Sequence, residues 1–359
     1  MPLQIKLEAD EFWPSLEADI RGAKEYAYAQ VLSFEGDTAG QRVADAFKQS
    51  SAPDRRVIAD EFYTIKRIND KFLALPTNWF NQEIRRERDN TLTMFEDLKA
   101  NGTDYLLTNP TGPINEYWLH RNHKKIIAID DRIAYLGGFN FTDHNFEWHD
   151  MMVRIEDPEV VRFLKEDVQH TWRGVHKNTS RKFDGIEIFR FDGRTNRKTF
   201  QPIMDLMSNA RESIYIISPY ITYPFWDLLR KAKANGARTV LIAPEVNNWK
   251  FLSEYSVWES TRSGVEVRLY PGRMVHLKAM LIDDTHLVVG SSNFDFLSCR
   301  LMQEIVAVIT NRDTIEDFKK RVLEKDMQTS VPSTKRVSNL RGHYVTWCFK
   351  FVEAVFSGI

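Results

Sequence analysis

The sequence predicts an α/β protein of two pseudo-symmetric halves. Each half is expected to be a mixed, mainly parallel sheet flanked by helices, with the active site at the interface of the halves. Three observations carry this reading. First, one motif occurs twice: His123-Lys124-Lys125-Ile126-Ile127-Ala128-Ile129-Asp130 and His276-Leu277-Lys278-Ala279-Met280-Leu281-Ile282-Asp283 both read H-x-K-x-x-x-x-D. Second, each copy has a glycine–asparagine tail, Gly137-Gly138-Phe139-Asn140 and Gly290-Ser291-Ser292-Asn293, and every matched position is displaced by the same 153 residues. Third, apolar strands alternate with amphipathic helices around both copies, the pattern of α/β units.

Taken in order, Ile20–Tyr26 resembles Met207–Ser213, each the end of a helix that leads into a strand. The expected strands are 28–34 and 214–219, followed by a helix and a second apolar strand at 56–59 and 239–242. The first half then carries an extra stretch, 62–118, with a charged helix around 84–99. Arg85, Arg86 and Arg88 alternate there with Glu83, Glu87 and Asp89, as on a solvated face. Phe72, Leu73, Leu75, Trp79 and Phe80 in the same stretch suit either core packing or an apolar wall for acyl chains. A polar run, Asn178-Thr179-Ser180-Arg181-Lys182, marks the join, so the halves are placed at 1–182 and 183–359.

Each motif reads as a β-hairpin. With turns centred on Asp131 and Asp284, antiparallel register sets His123 opposite Phe139 and Lys125 opposite Gly137. It likewise sets His276 opposite Ser292 and Lys278 opposite Gly290. His123 and Lys125 share a face because they are two apart. Asp130 has the other parity and lies seven positions from His123, roughly 23 Å along an extended strand. Asp130 and Asp283 are therefore expected to shape turns, and Gly137, Gly138, Gly290 and Ser291 to let a ligand approach the backbone. Asp150 and Glu304, which follow the two asparagines, are better carboxylate partners for the histidines. A carboxylate on one imidazole nitrogen fixes the tautomer and leaves the other nitrogen to react.

Two His, two Lys and two Asn suit a phosphodiester. Lysines attract the phosphate and asparagine amides donate to its oxygens. One neutral imidazole attacks phosphorus, and the other, protonated, gives a proton to the leaving oxygen. No metal or cofactor is expected, because the lysines carry the positive charge. A lone histidine is more often structural, and His120, His144, His149, His170, His176, His286 and His343 are read that way. The duplication sets His123 and His276 apart. Zinc is disfavoured: there is no H-E-x-x-H, and Cys299 and Cys348 lack paired spacing.

These residues resemble the phospholipase D superfamily, in which two H-x-K-x-x-x-x-D motifs carry G-G/S-x-N tails, over nearly the whole chain. Arg121-Asn122-His123, Trp148-His149-Asp150 and Val153-Arg154-Ile155-Glu156 are most similar to bacterial cardiolipin synthases. The resemblance implies metal-independent phosphodiester transfer through a histidine adduct on His123, with His276 as the acid. The implied catalytic set is His123, Lys125, Asn140, Asp150, His276, Lys278, Asn293 and Glu304. The family's second motif often runs D-x-R-S-x-x-x-N-x-E. Asp295, Ser298 and Glu304 match it, whereas Leu297 and Met302 stand in place of its Arg and Asn.

The 359 residues are 43% hydrophobic and 28% charged, so a core forms, and the formal net charge is −1. That balance disfavours nucleic acid as substrate; together with the cardiolipin synthase resemblance around Trp148 and Asp150 and the apolar carboxyl-terminal stripe, it leads to the expectation of a phospholipid. The alternative is a phosphodiester nuclease of the same superfamily. Met1–Glu11 is not a signal peptide and no apolar run spans a membrane. A cytoplasmic monomer is expected, at most peripheral on the membrane. Tyr344, Trp347, Cys348, Phe351, Val352, Val355 and Phe356 recur at helical spacing near Lys335, Arg336, Arg341 and Lys350. They fit a helix packed on the core or one lying on anionic lipid.

Overall fold

A computed structural model describes residues 2–73, 78, 80–112, 118–335 and 337–356; the side chains of residues 352, 353, 355 and 356 lie outside that description. The chain forms two compact units. The first comprises Met1–Thr179, Phe189–Gly193 and Met302–Ile305, and the second Ser180–Ile188, Arg194–Leu301 and Val306–Ile359. A single boundary at 182 differs from this division, because two short segments beyond that boundary group with the first unit.

In the first unit, β1 (Leu3–Leu7), β2 (Tyr26–Gln30), β3 (Asp54–Asp60), β6 (Asp104–Thr108), β7 (Ile126–Ile129), β8 (Ile133–Gly137) and β9 (Met151–Ile155) make one sheet, in the order β1-β9-β8-β7-β2-β3-β6. β4 (Arg67–Ile68) and β5 (Lys71–Phe72) form a separate small hairpin. The helices are α1 (Glu8–Arg21), α2 (Thr38–Gln49), α3 (Gln82–Ala100), α4 (Asp143–Glu147) and α5 (Pro158–Trp172). Among the named strands of this sheet, β2–β3–β6 pair parallel, and helices supply the crossovers. The H-x-K hairpin and its neighbours pair antiparallel, so the sheet is mixed but less parallel than expected.

The core explains these choices. Phe12, Leu16 and Ile20 of α1 recur at helical spacing and are fully buried in one core cluster, where Phe12 meets Tyr135 and Phe139. Asp37 caps α2 through Gly40 N–H, and Asn81 caps α3 through the amides of Glu83 and Ile84. Arg85, Arg86 and Arg88 are exposed on α3, as a solvated face requires. Among the described residues, a hollow of about 310 Å³ is lined by Leu73, Asn78, Arg85, Arg88 and Asp89. Phe80 is exposed, and Leu75 and Trp79 lie outside the described residues.

The second unit repeats the plan. Its sheet runs β10 (Thr179–Phe183), β11 (Ile186–Arg190), β17 (Ile305–Ile309), β16 (His286–Gly290), β15 (Ala279–Ile282), β12 (Ser213–Ile217), β13 (Arg238–Pro244), β14 (Glu266–Tyr270) and β18 (Val331–Pro332). Its helices are α6 (Asn196–Asn209), α7 (Phe225–Ala234), α8 (Lys250–Ser263), α9 (Phe296–Arg300), α10 (Arg312–Phe318), α11 (Glu324–Thr329) and α12 (Asn339–Phe356). Again β12–β13–β14 is parallel and the motif hairpin antiparallel.

Candidate active site

The two motif hairpins have the register the sequence implies: Ile126 faces Leu136 and Ala279 faces Val289. The regular strands begin only at Ile126 and Ala279, so each His and Lys stands in the segment just before its strand.

The hairpin turns are anchored by the motif aspartates. Asp130 and Asp131, like Asp283 and Asp284, have positive φ, the geometry of primed hairpin turns. Glycine or asparagine usually fills such positions. Here Asp130 offsets the strain by accepting the amides of Lys24, Glu25 and Tyr26 at 2.8, 2.8 and 2.9 Å. Asp283 does the same for Arg211, Glu212 and Ser213. Each motif aspartate thus ties its hairpin to the start of the neighbouring strand, β2 or β12. The similar helix-end segments in the sequence supply the amides.

His123 is buried and its Nδ1 lies 2.9 and 3.0 Å from the two oxygens of Glu304. An ionised carboxylate only accepts, so Nδ1 carries the proton and Nε2 the lone pair. The sequence groups Glu304 with its own copy's asparagine, yet the carboxylate serves the first copy's histidine. The main chain delivers it. His123 N–H donates to the Gln303 carbonyl, and Gln303 N–H to the Arg121 carbonyl, each at 2.9 Å.

A buried polar network holds the residues before His123. Arg121 pairs with fully buried Asp60 at 3.0 Å, and Asp60 also accepts the Asn122 amide at 2.9 Å. Burial pushes the Asp60 carboxyl up to about 6, against the pull of Arg121 and those amides. The Asn122 side chain accepts from Gln30 and donates to Thr108. Lys124, one step past the histidine, forms a buried pair with Asp167 at 2.7 Å. Sequence reasoning missed Asp60, Gln30, Thr108 and Asp167. The available signal was the run of polar residues, Arg121 to Lys125, entering an apolar strand.

Lys125 donates to the His123 carbonyl at 2.8 Å, and Lys278 to the His276 carbonyl. Both lysines and His276 are buried. Asn140 accepts from the amides of Leu32 and Ser33, and its side-chain amide donates to Asn145 at 3.0 Å. That leaves one of its two amide hydrogens for another acceptor. Buried Asn293 Oδ1 has no hydrogen-bond partner among the described residues. After the asparagines, Thr142 caps α4 and Asp295 caps α9.

Gly137 and Gly138 are closely packed by the chain itself, a constraint the sequence pattern did not show. A Cβ on Gly138 would fall 2.1 Å from Asp150 Oδ1, and one on Gly137 2.4 Å from the Met151 carbonyl oxygen. Asp150 itself is fully buried and accepts the Met151 amide. His149, read as structural, pairs with Glu8 at 2.8 Å.

Duplicated H-x-K-x-x-x-x-D hairpins on repeated mixed α/β sheets define the phospholipase D-like class. Within that class, the chain belongs to the family described as cardiolipin synthase, PLD-like domain, whose model matches residues 16–172 and 203–326. Cardiolipin synthase 1 of Staphylococcus epidermidis is 26% identical over 94% of this chain and 70% of its own length. Cardiolipin synthase B of Escherichia coli is 30% identical over 58% of this chain and 57% of its own length. The fold also matches a phosphatidylserine synthase of Haemophilus influenzae, with a TM-score of 0.68 at 15% identity over 99% of this chain and 93% of that one. A polyphosphate kinase of Porphyromonas gingivalis matches at 0.61 and 10% identity, over 99% of this chain and 53% of that one.

Proposed function

We propose that this protein is a phosphatidyltransferase that moves phosphatidyl groups between alcohols through a phosphohistidine adduct on His123. The single observation that carries the choice of nucleophile is the Glu304 carboxylate on Nδ1 of His123. It puts the lone pair on Nε2 and stabilises the positive charge that develops on the ring. The family and its cardiolipin synthase relatives support a phospholipid as donor.

In the first step Nε2 attacks phosphorus and the bond to the leaving alcohol oxygen breaks, while protonated His276 gives that oxygen its proton. In the second step the acceptor alcohol loses its proton to His276, its oxygen attacks phosphorus and the N–P bond breaks. Lys125 and Lys278 balance the phosphate charge in place of a metal. Asn140 and Asn293 are read as donors to the non-bridging oxygens, and Asp150 as a further carboxylate of the site. Water in place of an alcohol turns the same adduct to hydrolysis.

The test is incubation of purified protein with mixed phospholipids, with and without glycerol, in excess EDTA, with products identified by mass spectrometry. New phosphatidyl species with full activity under chelation are expected, and a phosphoryl group trapped on His123. Trapping on His276 reverses the two roles. Single-stranded DNA cleaved as fast as the best lipid overturns the substrate class.

A further inference from the structure

The carboxyl-terminal helix has two unlike faces. One packs on α8: Phe349 meets Tyr255 at 5.2 Å between ring centroids, the Asn339 side chain accepts from Trp258 Nε1, and Gly342 lies against the Trp258 ring, where a Cβ would clash. The other carries Leu340, Tyr344, Trp347 and Phe351, which are 84%, 64%, 60% and 55% exposed. At 3.6 residues per turn these four fall within about 60° of one another. Their rings are already ordered: Trp347 stacks on Tyr344 at 6.5 Å and on Phe351 at 5.5 Å. Of the two sequence readings of this segment, packing accounts for one face and leaves the aromatic stripe unexplained.

We propose that this stripe rests on an anionic lipid surface, an inference that extends the phospholipid reading of the site. Three features select the occupant. Tyr and Trp are the residues that settle at a membrane–water boundary, with an apolar ring and a polar tip. Arg341 and exposed Lys350 flank the stripe on opposite sides, and Glu353 is the helix's one acidic residue. Arg341 remains 61% exposed although it pairs with Glu254. The stripe offers on the order of 400–500 Å², about half of what each partner contributes to a stable protein–protein interface. It runs about 16 Å along the axis, far short of a bilayer core of about 30 Å, so the helix lies flat. No helix among the described residues is long and apolar enough to cross a membrane.

The experiment is vesicle flotation of the full chain carrying His123→Ala, which separates binding from turnover. Vesicles of phosphatidylglycerol should carry the protein, and vesicles of phosphatidylcholine should carry at least about fivefold less, since each basic side chain near an anionic surface contributes. Trp347→Ala with Phe351→Ala should weaken binding at least tenfold, with the melting temperature unchanged. Lys350→Glu should weaken it severalfold and flatten its salt dependence. In the catalytically intact chain, the Trp347/Phe351 pair of changes should leave turnover of a soluble short-chain phosphodiester unaltered. Equal binding to both vesicle types, or undiminished binding of the double variant, overturns the proposal. So does a dimer that the double variant dissociates, because the occupant is then a second copy. Flotation without any phosphatidyl turnover supports the surface and overturns only the reading of the site.

Discussion

Both oxygens of Glu304 sit on Nδ1 of His123, at 2.9 and 3.0 Å, across 181 residues of chain. Glu304→Gln keeps the shape but presents a neutral amide in place of the carboxylate, so the tautomer and the ring charge are no longer held. Losing an orienting carboxylate costs from about tenfold, for an outer partner, to about 10⁴-fold where the tautomer inverts. We expect kcat to fall by about 10²–10⁴-fold with little change in melting temperature. A variant within threefold of wild-type kcat refutes the role.

Asp130 and Asp283 should matter to stability before chemistry. Asp130→Asn or Asp283→Asn replaces a carboxylate that accepts three backbone amides. Hydrogen bonds to a charged group contribute about 1.5–3 kcal/mol each at most, so a loss of roughly 2–3 kcal/mol in chemical denaturation is expected, with kcat of the folded fraction retained. Burial alone would raise the Asp283 carboxyl, but the amides of Ser213, Glu212 and Arg211 outweigh it and hold the group below its usual range. A depressed folded value means stability is present above the unfolded carboxylate range near pH 4 and is lost as pH falls through the folded value. Asp283→Asn should therefore show a smaller loss between about pH 4 and pH 2 than wild type; identical acid profiles would rule this out.

Gly138→Ala should be poorly tolerated because the new methyl lands on the Asp150 carboxylate. Overpacking of this kind costs about 1–3 kcal/mol or more. The discriminating measurement is a double-mutant cycle: in an Asp150→Ala background the same change should cost much less. Additive costs in the two backgrounds would show that the carboxylate is not the obstacle.

A pH dependence of the opposite sign is expected at Glu35. Burial, then the nearby charges of Glu87 and Asp37, push its carboxyl up to about 9, and burial chiefly pushes Asp37 up to about 7. A raised acid binds more protons folded than unfolded, so its share of stability is complete below about pH 4 and is lost as pH rises toward 9. Glu35→Gln should flatten the decline in stability between pH 6 and 9. A decline as steep as wild type's would place its source elsewhere.

The sequence made the hairpin register and the turn role of the motif aspartates legible, because a two-residue period and a fixed turn centre leave little freedom. It marked Glu304 as a carboxylate partner for the histidines but not which of the two it serves. Spacing along the chain cannot show that the residues around Gln303 pair with Arg121 and His123. Nor does a motif pattern reveal that β9 and Asp150 press against Gly137 and Gly138. The network from Asp60 through Asn122 to Gln30 joins ordinary residues from separate strands, and no periodicity marks it. For the last helix, periodicity gave the stripe of aromatic residues, but only the contacts with Trp258 and Tyr255 distinguish the covered side from the bare one.

The placement of Glu304 has a consequence for how this gene can change. A duplication ordinarily leaves two interchangeable modules, either of which can be trimmed, traded or expressed alone. Here a fragment ending at residue 182 would carry His123 without the carboxylate that orients it, and the other fragment would carry that carboxylate without its histidine. The repeats have ceased to be spare copies of each other: inheritance of one now obliges inheritance of the other.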